Sequence, residues 1–178
     1  MTKIIDSNFL SLLKIEENIK IAGFKTKIVN IQETLEKVNS ISHGCEGCII
    51  QLMDASAIAG KNHLLHGVVH SINAFKRGEN IANDLGIEIC VRLSAQRQIS
   101  KALDILGLKI GKMNIVAVFI NCPDNFIDDL NNIFLRDDNV INSTHDLKDI
   151  YNISKKEQDL MSIEDILIDR ITELIVEL

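Results

Sequence analysis

NIVAVFI, at residues 114–120, is the strongest β-strand signal in the sequence and decides the class of fold. Its β-branched and aromatic residues favour an extended, buried conformation. Three other segments are predicted to be strands: FKTKIV at 24–29, CIIQLMD at 48–54 and IEICVRL at 87–93. The last of these alternates apolar with polar residues, which is typical of a half-buried strand.

Helices are predicted between these strands. Residues 31–41 fit a short helix, and residues 60–77 form the clearest helical pattern, with Gly78 placed to end it. In the 60–77 segment, apolar residues recur at intervals of three and four, which puts them on one helix face. These apolar residues are Leu64, Leu65, Val68, Val69, Ile72 and Phe75.

A further helix is predicted over residues 96–108, with Ser94 as its N-cap and Gly107 at its end. Pro123 stands where a first helical turn tolerates proline, which predicts another helix reaching about Leu135. The residues of the 96–108 helix that we expect to face the core are Ile99, Ala102, Leu103 and Leu106.

From about residue 146 the chain is predicted to be helical, and Ser162 and Asp165 have the spacing of a capping box. The whole pattern predicts an α+β fold. It comprises a small sheet of three to four strands, mostly antiparallel or mixed, packed with helices and followed by a helical C-terminal region. No Pro-rich or Gly/Ser-rich linker interrupts the sequence, so residues 1–178 are expected to form a single domain.

The composition narrows the class of protein. Apolar residues make up 46% of the chain, enough for a buried core, and the apolar runs are short and carry charges, which argues against a membrane span. The formal net charge of −6 argues against a protein that binds nucleic acid mainly by neutralising phosphates. Any such contact has to be local or shared with a more basic partner. The N-terminus lacks a signal-peptide pattern, so we expect a cytoplasmic protein with reduced thiols.

The hexapeptide HGCEGC contains a Cys-x-x-Cys pair, Cys45 and Cys48. A structural zinc site usually needs a second cysteine pair or two spaced histidines, and a redox pair favours the start of a helix. Cys48 instead begins a predicted strand, and Cys90 and Cys122 lie within or at the end of predicted strands. We therefore interpret the cysteines as reduced and structural.

Three histidines, His63, His66 and His70, recur at the spacing of one helix face. That face lies opposite the apolar residues of the same helix and is predicted to be a solvated polar surface. The alternative is a metal site, in which the imidazoles are joined by a thiolate from Cys45 or Cys48. This alternative defines the main rival hypothesis, a small metal-binding protein or enzyme.

Common catalytic motifs are missing from the sequence. It contains no G-x-S-x-G, no H-E-x-x-H, no G-x-x-x-x-G-K-[ST] and no G-x-G-x-x-G. This favours a binding or accessory protein without a cofactor over an enzyme.

An ordered set of short motifs, which includes Ala59-Gly60, His63-Leu64 and Arg97-Gln98-Ile99, resembles the small subunit of the KEOPS (or EKC) complex, the regulatory subunit that binds the PRPK-type kinase. The resemblance covers about residues 48–178 and includes two C-terminal segments, DLKDIYNISKKEQDL and IEDILIDRITEL. The N-terminal segment and HGCEGC contribute little to it. The motifs in the middle of the chain are Ala59-Gly60, His63-Leu64, Ala74-Phe75, Gly78, Glu88, Ser94, Arg97-Gln98-Ile99, Ala102-Leu103 and Gly107.

The resemblance implies a function. Members of this family are non-catalytic subunits of the complex that helps to install threonylcarbamoyl on the adenosine beside the tRNA anticodon. The small subunit docks on the N-lobe of the kinase-like subunit and binds the single-stranded CCA end of tRNA. It has no small-molecule substrate, and a different subunit carries the catalytic metal.

The residues proposed to hold the tRNA end are Lys61, His63, Arg97 and Gln98. Lys61 and Arg97 lie at predicted helix N-termini, where backbone N–H groups favour a phosphate. Arg97 can also stack on a base, Gln98 can read a base edge, and His63 can stack or donate a hydrogen bond. The alternative is that the charged residues are ordinary solvated side chains and that His63 only caps its helix.

A kinase interface requires an apolar surface that core packing leaves exposed. The last helix is the candidate because its apolar residues exceed one narrow stripe. The alternative is that this helix simply packs on the sheet, and a protein-binding scaffold without RNA binding is a third hypothesis for the whole chain. The residues predicted for the interface are Leu167, Ile168, Ile171, Leu174 and Ile175.

Overall fold

The computed structural model describes residues 17–142 and 147–176. At its centre is an antiparallel sheet of four strands in the order β2-β3-β1-β4. The α+β class and the antiparallel sheet predicted from the sequence are thereby confirmed. The strands are β1 (Ile19–Ile28), β2 (Ile49–Asp54), β3 (Gly111–Ile120) and β4 (Leu135–Arg136).

Helices connect and cover these strands. None of those in residues 17–142 and 147–176 is long and apolar enough to cross a membrane. Two short 3₁₀ turns, Ala55–Ala57 and Asp138–Ile141, complete the secondary structure of these residues. The α-helices are α1 (Ile31–Ser42), α2 (Lys61–Arg77), α3 (Leu85–Leu93), α4 (Ile99–Leu106), α5 (Asn125–Asn131), α6 (Lys148–Tyr151), α7 (Lys155–Leu160) and α8 (Ile163–Val176).

Strand β3 occupies an inner position, hydrogen-bonded to β2 on one side and β1 on the other. Its last six residues are all buried, because helices cover both faces of the sheet. On one face Val116, Val118 and Ile120 pack with residues of α2, α3 and α4. On the other face Ala117 and Phe119 pack with residues of α1 and α5. A strand buried on both faces needs a continuous apolar run, which explains NIVAVFI.

The prediction of a strand at 87–93 is wrong, because this segment lies in α3. Asp84 caps that helix, since its carboxylate accepts a hydrogen bond from the Ile87 N–H at 2.9 Å. One turn later, Glu88 and Arg92 form a buried i,i+4 ion pair with 2.6 Å between Oε1 and Nε. The helix is almost wholly buried, so it has no solvent face to give the sequence a helical period.

The boundaries around α4 and α5 also differ from the prediction. Ser94 does not cap α4 but ends α3, where its hydroxyl donates to the Cys90 carbonyl at 2.6 Å. Gly107 ends α4 as predicted, and Leu135 lies in β4 rather than in a helix. Of the four α4 residues expected to face the core, Ala102 and Leu106 are buried, whereas Ile99 and Leu103 are 39% and 37% exposed.

Cys48 and Cys122 form a disulfide, with 4.8 Å between their Cα atoms. The prediction of reduced thiols is therefore wrong for these two cysteines. The pairing follows from the sheet register. Ile49, the first residue of β2, is paired with Ile120, the last residue of β3, so the residues just outside these strands meet at the same end of the β2–β3 pair. Cys45 and Cys90 are free thiols.

Candidate functional site

An open groove of about 410 Å³ lies where the segment after α3, the start of α4 and the last helix α8 meet. Most of its lining is polar. Arg97 and Gln98, two of the residues predicted to hold a tRNA end, lie side by side in it. The complete lining is Ser94, Ala95, Gln96, Arg97, Gln98, Lys101, Arg170, Glu173 and Leu174.

The end of α3 shapes one wall of the groove. The Gln96 N–H donates to the Val91 carbonyl at 3.1 Å and the Ala95 N–H donates to the Arg92 carbonyl at 3.0 Å. This is the hydrogen-bond pattern of a Schellman motif. Ala95 takes the left-handed position of the motif, with φ of 51°, although glycine is the usual residue there. The motif reverses the chain direction and brings Arg97 to the groove surface.

Arg97, Gln98 and Lys101 are exposed on the α4 side of the groove. Arg97 precedes the N-cap of α4 and Lys101 lies in its first turn, and both side chains line the groove. Gln98 is the N-cap residue, and no side chain caps the helix. The first N–H groups of α4 therefore have no hydrogen bond from the N-cap side chain, and an uncapped helix start favours an anion.

Arg170 of α8 contributes a fixed cation to the opposite wall. Its guanidinium donates to the Tyr151 carbonyl at 2.6 Å and to the Glu157 carboxylate at 2.8 Å. The hydrogen bonds from Arg170 and from Ser154 lower the pKa of Glu157 to about 2, so this carboxylate stays ionised. Basic side chains thus line the groove from both α4 and α8, but the charge of Arg170 is paired with Glu157, and the acidic Glu173 of α8 also lines the groove.

His63 lies beneath the groove and is completely buried. The Ala59 N–H donates to its Nδ1 at 3.1 Å, so Nε2 carries the proton and donates to the Leu93 carbonyl at 2.9 Å. Burial lowers the pKa of His63 to about 4, which keeps the ring neutral. The expectation of a solvated His63 is wrong, because the ring is buried between the end of α3 and Tyr151 and has no surface on which a base could stack.

Lys61 is not part of the groove. It begins α2, but the N-terminus of that helix is already occupied by a carboxylate from α8. Glu164 Oε1 accepts from the N–H groups of Asn62 and His63, both at 3.1 Å. A phosphate at this helix start would have to displace Glu164, so the expectation of a phosphate contact through Lys61 does not fit the structure.

The apolar residues of α8 are mostly part of the core. Leu167, Ile171 and Leu174 are buried, Ile168 is half-buried, and the side chain of Ile175 lies outside the described residues. The prediction that α8 keeps a broad apolar face for a partner is therefore wrong for these three buried residues. They pack inside the chain because α8 lies against α2 and α3.

The geometry does not support the rival metal site. Within residues 17–142 and 147–176 there is no group of three or more metal-ligating side chains. The rings of His66 and His70 contact each other with 4.3 Å between centroids, but His63 is buried elsewhere and Cys48 is bonded to Cys122. Burial also lowers the pKa of His70 to about 4.

Of the residues that line the groove, Arg97 and Gln98 had been predicted from the sequence as binding residues, whereas Lys101 and Arg170 had not. Lys101 could have been found, because it follows Arg97 at the i,i+4 spacing of a helix face. Arg170 is far away in sequence, and only the packing of α8 brings it to the groove.

An α+β chain with a polar groove has the features of a binding protein, and comparison with known proteins agrees. The family model described as "Kinase binding protein CGI-121" matches residues 25–173. The chain belongs to this family, which confirms the family predicted from the sequence motifs. A relative, "Regulatory protein Cgi121" of Methanocaldococcus jannaschii, is 39% identical over 71 residues. The match covers 40% of this chain and 46% of the relative, somewhat under half of that protein.

Proposed function

We propose that this chain is a non-catalytic accessory subunit in tRNA threonylcarbamoyladenosine modification, working in the cytoplasm as part of a KEOPS-type complex. In this proposal it binds the kinase-like subunit and recruits tRNA through its single-stranded CCA end. The observation that carries the RNA-binding part is the groove, where Arg97, Gln98, Lys101 and Arg170 are brought together on an otherwise acidic protein.

The groove chemistry suits an unpaired RNA end. Single strands are held by stacking, by hydrogen bonds to base edges and by a small number of cationic phosphate contacts. The Arg97 guanidinium can make a forked contact with a phosphate or stack on a base. Gln98 can donate to and accept from a base edge, and the uncapped start of α4 offers backbone N–H groups to a phosphate.

The groove walls should be well positioned before RNA arrives. Arg170 is held by Tyr151 and Glu157, and the backbone before Ser94 is held by His63. A side chain that is already fixed loses less entropy on binding. A binding site of this size is compatible with a net charge of −6, because only the phosphates of a short RNA end have to be neutralised.

Kinase binding is the part of the proposal that rests on the family. Since α8 is packed into the core, the docking surface has to use exposed apolar side chains elsewhere. Among the described residues Leu160, at 84% exposed, is the most exposed large apolar side chain, and Met161 beside it is 41% exposed. Replacement of both by glutamate should therefore weaken kinase binding if this end of α7 is the contact.

The test of RNA recruitment is a binding measurement with intact tRNA and with tRNA trimmed of its CCA. Arg97→Glu should weaken binding of intact tRNA by about tenfold or more, with an unchanged melting temperature and unchanged binding of the kinase subunit. Lys37→Glu is the matched control, because it makes the same charge change on α1, where Lys37 pairs with Glu33.

Trimming the CCA should abolish most of the difference between wild type and Arg97→Glu. If both tRNAs bind with equal affinity, recognition of the end is wrong. Kinase binding without any tRNA binding would instead support a protein-binding scaffold.

A further inference from the structure

A second basic groove, of about 730 Å³, lies at the end of the sheet where β1 finishes and β3 begins. Four lysines line it: Lys25 and Lys27 of β1, Lys112 of β3, and Lys109 of the connection before β3. The chain has 19 basic and 25 acidic residues in all, so four lysines around one groove are a local reversal of the overall charge.

Two of these lysines face each other. In the register of the sheet, Lys27 of β1 is directly opposite Lys112 of β3, and both side chains are exposed. Like charges at directly opposite positions of an antiparallel pair destabilise the sheet. A bound anion between the two ammonium groups would remove that repulsion.

The acids near the groove neutralise only the other two lysines. Lys25 pairs with Asp137 and Lys109 with Asp54, each at 2.6 Å. In the part of the chain that the structure describes, no acidic side chain forms an ion pair with Lys27 or Lys112. The uncompensated positive charge is therefore centred on the Lys27–Lys112 pair.

This lysine groove and the groove around Arg97 lie at opposite ends of the same helix. Gln98 precedes α4, and Lys109 follows its last residue by three positions. A helix of eight residues is about 12 Å long, from a rise of 1.5 Å per residue. One RNA strand that crosses α4 can therefore reach both grooves.

We infer that the lysine groove binds the phosphate backbone of the same RNA whose end lies in the Arg97 groove. This inference rests on the proposed function and adds to it a second, sequence-independent contact. Lysine ammonium groups recognise phosphate as point charges and carry no base specificity. The lysine groove would then supply affinity, and the Arg97 groove would select the free end.

The test is the salt dependence of binding by the whole chain, with two RNAs: intact tRNA and a short single-stranded RNA that ends in CCA. Lys27→Ala combined with Lys112→Ala should weaken intact tRNA roughly three- to tenfold and flatten the plot of log affinity against log salt by roughly 1.5. The short RNA, which fills only the Arg97 groove, should bind as it does to wild type.

The double variant Lys37→Ala with Lys76→Ala is the control, because it removes the same charge from two lysines that are paired with Glu33 and Glu17. An unchanged affinity and salt slope of the Lys27/Lys112 variant for intact tRNA would overturn the inference. So would a selective loss of kinase-subunit binding by that variant, which would make the groove a protein-docking surface.

The two proposals can fail separately. If trimming the CCA has no effect but the Lys27/Lys112 variant binds tRNA more weakly than the wild type does, recognition of the end is wrong and the backbone contact stands. If only Arg97→Glu and trimming reduce binding, recognition of the end stands and the backbone contact is wrong.

Discussion

His63 of α2 donates a hydrogen bond from Nε2 to the carbonyl oxygen of Leu93, the last residue of α3, at 2.9 Å. The same ring accepts from the Ala59 N–H, so one buried side chain ties the connection before α2 to the end of α3. The groove lining begins at Ser94, the residue after Leu93, so this hydrogen bond holds the backbone in position next to the groove. His63 thus supports the groove from below without contacting a ligand.

Burial of His63 makes the stability of the fold depend on pH. The pKa of His63 is lowered to about 4 in the folded protein, from 6.5 ordinarily, because the ring is buried. The unfolded chain therefore binds more protons between these two values. The free energy of unfolding is therefore highest above pH 6.5. It decreases by about 3 kcal/mol at most as the pH falls through 4.

Chemical denaturation at several pH values would measure this loss, with His63→Gln as the comparison. Glutamine can accept from one atom and donate from another, but it does not titrate in this range. All other ionisable groups are the same in both proteins. An identical pH dependence of the unfolding free energy in the two proteins would show that His63 is not the titrating group.

The buried pair of Glu88 and Arg92 should be among the most sensitive positions for stability. Glu88 Oε2 accepts from the N–H groups of Ile81 and Ala82 at 2.9 and 2.7 Å, and its other oxygen accepts from Arg92. Glu88→Ala leaves the arginine charge buried without its partner, and we expect a loss of about 3–5 kcal/mol. Urea unfolding measures this, and a loss below about 1 kcal/mol would contradict the expected role.

The disulfide can be tested by chemical labelling. Under non-reducing conditions, peptide mapping should find Cys48 joined to Cys122, with label on Cys45 and on unfolded-state Cys90 only. Because the bridge closes a long loop, Cys122→Ser should cost about 2–4 kcal/mol of stability. Label on Cys48 and Cys122 in the unreduced protein would contradict the pairing and restore the prediction of reduced thiols.

A single change at Lys27 should separate stability from RNA binding. Lys27→Glu places a carboxylate opposite Lys112, and a cross-strand pair of opposite charges is worth about 0.2–1 kcal/mol. We expect a higher melting temperature together with weaker binding of intact tRNA. Lys37→Glu, which breaks the pair with Glu33, should lower the melting temperature slightly and leave RNA binding unchanged.

The sheet was predictable because its strands carry their own signals. The apolar, β-branched run at 114–120 is typical of a strand buried on both faces, and β3 has that environment. Segments 24–29 and 48–54 fall within or beside β1 and β2. The short strand β4 had no such signal, because its two residues are too few to show an alternation and pair with β1, which is far away in sequence.

The error at 87–93 has a different cause. Its β-branched residues and its alternation suited a strand, but the cap from Asp84 and the Glu88–Arg92 pair stabilise a helix. A helix that is buried on all sides lacks the polar stripe by which helices are recognised in a sequence. The N-cap, the i,i+4 ion pair and burial in the core therefore outweighed the β-propensity of this segment.

The candidate site was only partly predictable for a related reason. Arg97 and Gln98 lie next to each other in the sequence, so a local pattern could point to them. The burial of His63 depends on how the end of α3 and Tyr151 pack around it, and the capping of α2 by Glu164 depends on where α8 packs. No local pattern contains that information, and for the same reason Arg170 could not be placed in the groove.

The most direct test of the central claim is the affinity of this chain for one tRNA with and without its terminal CCA. We predict that the intact tRNA binds at least about tenfold more tightly and that Arg97→Glu removes this preference, while Lys37→Glu retains it. Equal affinity of wild-type protein for the intact and trimmed tRNA would contradict the claim that the groove recognises the end.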